Sequence, residues 1–257
     1  MNTKYWFDNR WRLASFISPI ALLLVWAWVT HMQWFSPQLL VSPLAVLTSF
    51  RELVASGELQ EHLQDSLSRL ALGYTSGAFA GILFGILMAL SRKVEVFFLP
   101  TFQAVRQIPT IALIPIFILL LGVDEVFKIA LVVKAAFFTV GLASYEATKG
   151  LPRNYFEVAQ MYKLPTWTLY RKVIFPAILP PVLTGLRIAF SRSWTVLVAT
   201  ELLAADSGIG QMMQMGREMF RLDIVMVGVV LTGLIGFSID RVFKWGEVNL
   251  IPWRTAR

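Results

Sequence analysis

Long apolar runs separated by short polar stretches make up most of this 257-residue chain. Such runs predict transmembrane helices, because about 20 consecutive apolar residues cross the hydrocarbon core of a bilayer. The pattern predicts about six spans, with approximate bounds 16–35, 67–90, 96–121, 126–145, 178–203 and 224–243. Segment 36–65 is amphipathic instead, so we expect it to lie on or near the outer membrane interface.

Two of the predicted spans contain residues that constrain helix packing. Four glycines of the second span recur at intervals of four residues: Gly73, Gly77, Gly81 and Gly85. This spacing predicts a face along which another helix approaches closely, and we interpret it as packing within the chain rather than as a dimer contact. The third span contains three prolines and the polar pair Arg106-Gln107. An irregular helix with polar groups is typical of a pore wall, because irregular backbone at membrane depth needs partners other than lipid.

The longest polar interruption in the second half of the chain is segment 149–172, KGLPRNYFEVAQMYKLPTWTLYRK. Asn154 followed by Glu157 matches a capping box, and apolar residues then recur at helical spacing, which predicts a short helix. The Leu164-Pro165 pair is expected to end this helix, and Thr166 to cap a second one. A simple connection between spans needs only a few residues, so a folded helix-turn-helix indicates a docking surface.

Composition and charge agree with a polytopic membrane protein. Hydrophobic residues make up 56% of the chain, and its mean hydropathy is +0.64. The net charge of +7 is compatible with nucleic-acid binding, but the basic residues cluster between apolar spans and in the tails. That bias predicts that segment 149–172 and both termini are cytoplasmic. We therefore expect residues 1–15 to form a cytoplasmic tail and residues 16–257 a single transmembrane domain.

Five charged residues fall inside the predicted spans, where an ionised group costs about 2.5–3.5 kcal/mol on insertion scales. They are Arg106, Lys134, Arg187, Arg192 and Glu201. One interpretation is a cationic translocation path for an anion, in which Glu201 pairs with one of the cations. In the alternative interpretation, Arg106 and Arg187 extend to the inner interface, and Arg192 or Lys134 forms a structural ion pair. The excess of cations favours an anionic solute.

Catalytic motifs are absent from the sequence. It contains no phosphate loop of the form Gly-x-x-x-x-Gly-Lys-Ser/Thr, no His-Glu-x-x-His and no cysteine. These motifs would bind ATP, a catalytic zinc ion, or a thiolate-coordinated metal, respectively. We therefore expect that the chain is not an enzyme and holds no metal or cofactor of its own. If transport is active, another subunit must supply the energy.

The segment FEVAQMYKLPTWTLYRKVIFPAILP, residues 156–180, resembles the cytoplasmic EAA loop of ABC importer permeases, the membrane subunits of binding-protein-dependent uptake systems. Three further segments resemble the sulfonate, taurine and nitrate branch: SPLAVL at 42–47, IPTIALIPIFILLLG at 108–122 and TELLAADSGIGQMM at 200–213. One residue departs from the pattern, since Lys163 stands where the family usually has glycine. We therefore expect that the turn there is made without a residue at positive φ.

The resemblance implies an all-α, type I (MetI-like) importer permease fold with about six transmembrane helices and cytoplasmic coupling helices. It implies a homodimer in the bacterial inner membrane that works with two ATP-binding-cassette ATPases, which bind ATP and Mg, and with an extracytoplasmic solute-binding protein. The expected solute is a small anion such as an alkanesulfonate, taurine or nitrate, although members of the branch also carry neutral or cationic heterocycles. The residues assigned to ATPase coupling are Tyr155, Glu157, Val158, Ala159, Tyr162, Lys163 and Leu164. A secondary transporter or channel without an ATPase partner is the alternative.

Overall fold

The computed structural model describes residues 9–36 and 39–251, without the side chains of residues 9–16, 153, 156 and 158. All regular secondary structure in this part of the chain is helical. The helices are α1 Asn9–His31, α2 Pro43–Ser56, α3 Glu58–Leu90, α4 Arg92–Gln107, α5 Ile114–Leu121, α6 Glu125–Lys149, α7 Arg153–Met161, α8 Thr166–Leu169, α9 Phe175–Ala204, α10 Ile209–Glu218 and α11 Leu222–Leu250. A 3₁₀ turn at Ile111–Leu113 precedes α5, and a π-helical turn at Tyr170–Ile174 joins α8 to α9.

The described residues group into two compact units, and the smaller one contains residues up to Gln60 together with Met212–Leu231. In this unit α2 begins after Ser42, whose hydroxyl accepts the N–H of Ala45. The Ser49 hydroxyl of α2 donates to Asp223 at the start of α11, and Arg221 Nη2 lies 2.6 Å from the same carboxylate. Hydrogen bonding to Asp223 raises the pKa of Arg221, so this pair stays ionised.

The larger unit contains Glu61–Gln211 and the described residues from Thr232 onward. Its helix α3 packs against α6 along the glycine stripe. A Cβ added at Gly77 would lie 2.6 Å from the carbonyl oxygen of Val133, and one at Gly85 would lie 2.2 Å from that of Gly141. Only glycine permits this approach, because the opposing atoms belong to the backbone. The stripe therefore packs within the chain, as its spacing predicts.

Four helical segments of the described chain are long and apolar enough to cross a membrane: α3, α6, the continuous segment Thr166–Ala204, and α11. Helices α4 and α5 satisfy the same criterion only together, and they are bent by 87°, so the count is five if this pair is one span. The described apolar part of α1, Ile17–His31, is shorter than a span. The prediction of about six spans includes this segment, whereas the described helices support four or five.

The bend between α4 and α5 begins at Pro109. Ile108, directly before it, has φ −69° and ψ 119°, because a residue that precedes proline is excluded from the α region. The helix restarts beyond the break, and Pro115 lies in the first turn of α5, where a missing N–H is tolerated. The prediction that the third span is irregular is confirmed, and the break leaves the carbonyl of Ile108 available to a side-chain donor.

Candidate functional site

Three of the five charges predicted within the spans line a single cavity, which is formed by the α4–α5 break together with α6 and α9. These residues are Arg106, Lys134 and Arg192, and the cavity has a volume of about 410 Å³. The remaining lining residues are Pro109, Thr110, Ile111, Ala135, Phe138, Thr139, Ser191, Thr195 and Val196. None of the described lining residues is Asp or Glu, so the cavity has a positive electrostatic potential.

The three cations differ in how their donors are used. Arg106 lies in the last turn of α4, and its buried Nε has no hydrogen-bond partner among the described residues. Lys134 Nζ donates to the carbonyl of Ile108 at 2.9 Å and to the hydroxyl of Thr110 at 3.2 Å. Lys134 thus neutralises the exposed C-terminal end of α4, where a cation is favourable. Arg192 of α9 is exposed to the cavity and has no ion pair within the described part of the chain.

Arg187, another predicted path residue, lies outside this cavity. Its Nε lies 3.2 Å from Asp240, and its Nη1 lies 3.7 Å from Glu247. Both carboxylates belong to α11, so this arginine joins α9 to α11 and its charge is balanced locally. Arg187 therefore has a structural role, as the alternative interpretation expects. It forms ion pairs with α11, however, whereas that interpretation expects it to extend to the inner membrane interface.

Glu201 pairs with Arg69, and the expectation that it pairs with Arg106, Lys134, Arg187 or Arg192 is wrong. Its side chain is only 1% exposed, and its Oε1 lies 2.9 Å from Arg69 Nη1. The physical reason is depth, because Glu201 lies nine residues after Arg192, or about 13.5 Å farther along α9. Arg69 of α3 pairs with it because the predicted spans 67–90 and 178–203 place both residues near the outer ends.

The Arg69–Glu201 pair is the centre of a buried network that sequence analysis missed. Arg69 Nη2 donates to Glu125 of α6 at 2.8 Å, and its Nη1 donates to the carbonyl of Ser207 at 2.8 Å. Lys128, also buried, lies 2.9 Å from Glu125. The network therefore joins α3, α6, α9 and the loop after α9.

The segment after α9 closes around the carboxylate of Glu201. The N–H of Gly210 donates to Glu201 at 3.1 Å, and the hydroxyl of Ser66 lies 2.8 Å from each carboxylate oxygen. A Cβ added at Gly208 would lie 2.4 Å from this carboxylate. Gly208 also has a φ of +109°, so both its backbone angle and the space around it require glycine. Residues 207–210 thus form a loop that binds the carboxylate of Glu201 and, through Ser207, the guanidinium of Arg69.

Segment 149–172, called the coupling segment from here on, folds as two short helices, but their starts differ from the prediction. Helix α7 begins at Arg153, directly after Pro152, so Asn154 is its second residue and cannot be its cap. Helix α8 begins at Thr166, its flanking residue is Pro165, and no side chain caps it. In both cases a proline precedes the first helical residue and takes the position expected of a polar cap, so both predicted caps are wrong by one or two residues.

The turn after α7 contains a residue at positive φ, which corrects the expectation for Lys163. This lysine has a φ of +49°. The N–H of Leu164 donates to the carbonyl of Ala159 at 3.0 Å, and the N–H of Lys163 donates to that of Gln160 at 3.0 Å. These two bonds form a Schellman motif, in which the residue at the position of Lys163 is usually glycine. The helix end imposes this geometry on lysine despite its Cβ.

The surface of the coupling segment is rich in exposed aromatic and apolar side chains. Tyr162 is 76% exposed and Trp167 is 73% exposed. Tyr155, Glu157 and Lys163 are also exposed. Ala159 is 5% exposed and Leu164 is half-buried, so these two residues face the chain itself. Val158 belongs to α7, but its side chain lies outside the described part, and the coupling role of all seven residues stays a prediction.

Comparison with known proteins identifies relatives across nearly the whole chain. Residues 81–247 match the family described as binding-protein-dependent transport system inner membrane component. SsuC of Escherichia coli (strain K12), which bears the name of an aliphatic sulfonates transport permease, is 35% identical over 95% of this chain and 93% of its own. TauC of the same strain, a taurine transport system permease protein, is 32% identical over 90% and 86% of the two chains. The crystal structure of an amino acid ABC transporter superposes with a TM-score of 0.60 over 80% of this chain and 96% of the other, at 15% identity.

Proposed function

The chain belongs to the family of binding-protein-dependent transport system inner membrane components, and from this premise we propose that it is the permease subunit of an ATP-driven importer of a small anion. It is a multi-pass protein of the inner membrane with the all-helical fold of type I importer permeases. The family is a transport component, so the chemistry that drives transport belongs to other subunits.

The cationic cavity is the observation that supports the proposal of an anionic solute. Arg106, Lys134 and Arg192 line it, and no carboxylate among the described lining residues balances them. An anion gains electrostatic energy in such a cavity, whereas a cation is repelled. The relatives SsuC and TauC are named for aliphatic sulfonates and taurine, both of which carry a sulfonate group. An alkanesulfonate is therefore the proposed solute. Taurine presents the same sulfonate group but also carries an ammonium group, and nitrate is a smaller anion with the charge of an alkanesulfonate.

The coupling segment is the proposed docking site for an ATP-binding-cassette ATPase, which would bind ATP and Mg. In this proposal Tyr155 and Tyr162 supply apolar contact, while Glu157 and Lys163 fix the register by polar contact. An exposed patch of large apolar side chains is typical of an interaction surface. The basic bias of segment 149–172 supports its position in the cytoplasm, where ATP is available.

The complete importer would contain two copies of this chain, two ATPases and an extracytoplasmic binding protein, with both termini of each permease in the cytoplasm. The structure of one chain supports this assembly indirectly. The cavity lies beside the 39-residue segment Thr166–Ala204, which begins in the coupling segment. Movement of that segment by an ATPase would therefore move one wall of the cavity.

The proposal is tested by co-expressing the chain with its ATPase, reconstituting the complex in liposomes, and adding binding protein that is loaded with taurine or empty. We expect loaded binding protein to stimulate ATP hydrolysis and uptake. Glu157→Arg should abolish the stimulation, because it reverses the charge of an exposed docking residue while leaving membrane insertion intact. Glu61→Arg, which reverses another exposed acid outside the coupling segment, is the matched control and should behave as wild type.

Two results would contradict the proposal. If no ATPase copurifies and uptake follows an ion gradient instead, the chain is a secondary transporter. If Glu157→Arg couples as well as wild type, the ATPase docks elsewhere.

A further inference from the structure

We propose that the cavity lined by Arg106, Lys134 and Arg192 is an anion-binding site within the permease itself, so that this chain selects the solute after the binding protein has released it. Arg106 and Arg192 hold the anion, and Lys134 is a positioning residue. The inference rests on the proposed function and specifies its solute class, which is a small oxyanion joined to a short apolar group.

Arg106 has a side-chain donor without a hydrogen-bond partner in the described chain. A buried N–H group is nearly always hydrogen-bonded, because leaving it unpaired is costly. Arg106 Nε is buried and has no partner among the described residues, although the side chain lines a cavity. No carbonyl or carboxylate of the described chain holds the guanidinium at Nε, so its terminal N–H groups are available to an oxyanion in the cavity. The planar guanidinium also presents adjacent N–H groups, which match two oxygens of one oxyanion.

Arg192 supplies the second contact, and comparison with Arg187 shows why. Both arginines belong to α9 and are five residues apart. Arg187 is held by the carboxylates of Asp240 and Glu247, whereas Arg192 has no carboxylate within reach in the described chain. On the same helix, the charge of Arg187 is therefore neutralised by carboxylates, whereas the charge of Arg192 is not. Arg192 is the one that lines the cavity.

Lys134 contributes charge, and two of the three N–H donors of its ammonium group are already used within the chain. Its ammonium group bonds to the carbonyl of Ile108 and the hydroxyl of Thr110, the residues on either side of Pro109. Lys134 therefore stabilises the break that brings both Arg106 and Ile111 into the lining of the cavity. Its loss would let the break relax, which would displace Arg106 from the anion.

The apolar part of the lining defines the rest of the ligand. Ile111, Phe138 and Val196 line the same cavity and present hydrocarbon and aromatic surface. The volume of about 410 Å³ lies within the range of about 300–1,000 Å³ that is usual for small-molecule sites. A sulfonate with a short alkyl chain can place its charge on the arginines and its carbon atoms on these side chains.

A second cavity on the same pair of helices provides an internal contrast. It lies between the C-terminal half of α6 and the first half of α9, and its lining contains one charged residue, Glu146. An anion is repelled there, so the same helix pair offers one site that favours an oxyanion and one that does not. The anion site is therefore a local property of the residues around the break.

The experiment measures equilibrium binding of radiolabelled butanesulfonate to the permease–ATPase complex in nanodiscs, without binding protein. We expect saturable binding that unlabelled taurine and ethanesulfonate displace and choline does not. Arg106→Gln and Arg192→Gln should each weaken binding at least about tenfold, since each removes a charge-assisted contact. Arg241→Gln is the control, because this exposed arginine of α11 lies outside the cavity and should bind as wild type.

Further variants distinguish residues that contact the anion from Lys134, which positions Arg106. Lys134→Met should lower both the affinity and the thermal stability of the complex, whereas Arg106→Gln and Arg192→Gln should lower affinity alone. Lys134→Arg should restore both quantities, since a guanidinium group can donate to the Ile108 carbonyl. Arg106→Lys keeps the charge without the planar pair of donors and should show intermediate affinity, which keeps the assignment testable if Arg106→Gln fails to assemble.

The outcomes distinguish this inference from the proposed function. Wild-type complex that binds no butanesulfonate, yet imports taurine from loaded binding protein, would overturn the site and leave the importer in place. Unchanged affinity in Arg106→Gln and Arg192→Gln would overturn the residue assignment. Absence of both binding and import would overturn the proposed function as well.

Discussion

The guanidinium of Arg69 and the carboxylate of Glu201, 132 residues apart in the sequence, lie 2.9 Å from each other in the interior of the larger unit. Arg69 is 3% exposed, and it also contacts Glu125 and Ser207. A buried ion pair contributes little net stability compared with apolar packing, but removing one partner leaves an uncompensated charge. The loop after α9 and the start of α10 therefore depend on one carboxylate for their position.

Glu201→Leu should destabilise the protein by about 3–5 kcal/mol, because Arg69 loses its fully buried carboxylate partner and keeps the partly exposed Glu125, while the N–H of Gly210 loses its acceptor. Thermal unfolding in detergent, monitored by the intrinsic tryptophan fluorescence, measures the change. Glu61→Leu, at an exposed position, should shift the transition little. The double variant Arg69→Met/Glu201→Leu should recover part of the loss, and a double variant as unstable as the sum of the single variants would argue against direct coupling.

Lys163→Gly should stabilise the C-terminal end of α7 by about 1 kcal/mol, since glycine adopts a φ of +49° without the Cβ penalty. Hydrogen exchange at Leu164 reports the change, because its N–H closes the Schellman motif. Lys163→Ala separates conformation from charge: it removes the ammonium but keeps the Cβ, so protection of Leu164 should not rise. Equal protection in both variants would indicate that charge, not backbone conformation, limits this turn.

Gly85→Ala should destabilise the α3–α6 contact by about 1–3 kcal/mol, the usual cost of overpacking. The added Cβ would lie 2.2 Å from the carbonyl oxygen of Gly141, which cannot move without displacing α6. Gly233→Ala in α11 is the matched control, because nothing in the described chain lies within 4 Å of its Cβ. The control should unfold at the same temperature or slightly higher, since alanine favours a helix over glycine.

Pro109→Ala should reduce the 87° bend between α4 and α5, because Ile108 is then free to adopt helical angles. The chain contains no cysteine, so spin labels can be attached at Cys substitutions of the exposed residues Phe97 and Leu119. The distance between the labels, measured by pulsed EPR, should increase in Pro109→Ala. Pro115→Ala should leave it unchanged, because that proline lies in the first turn of α5.

Features that depend on local spacing were predictable from the sequence. The glycines from Gly73 to Gly85 lie on one face of any helix, so their use as a packing stripe follows from their spacing alone. The break at Pro109 also follows, since proline restricts its immediate neighbour. For the same reason, segment 149–172 was identified as two short helices, although their first residues were misplaced.

Features that depend on how helices are placed relative to each other were not predictable. The partner of Glu201 is set by the depth and rotation of α3 against α9, and neither quantity is encoded in the residues next to Glu201. Similarly, Arg187 and Arg192 are the same residue type on the same helix. Packing against α11 gives Arg187 two carboxylate partners and gives Arg192 none within the described chain. One sequence feature does point to Arg69 as a candidate partner of Glu201. A buried acid at the outer end of one span needs a cation at the outer end of another, and Arg69 lies at that end of the span 67–90.

The segment Thr166–Ala204 is 39 residues long, which corresponds to about 58 Å along a helix axis. Trp167 lies on the proposed ATPase surface, Arg192 on the wall of the cavity, and Glu201 in the buried network. Coupling between two ligands is reciprocal, so an anion that favours one position of this segment must change the affinity for the ATPase by the same factor as the ATPase changes the affinity for the anion. In the proposed importer, solute occupancy is therefore measurable at the cytoplasmic surface as a change in ATPase affinity, without any transport taking place.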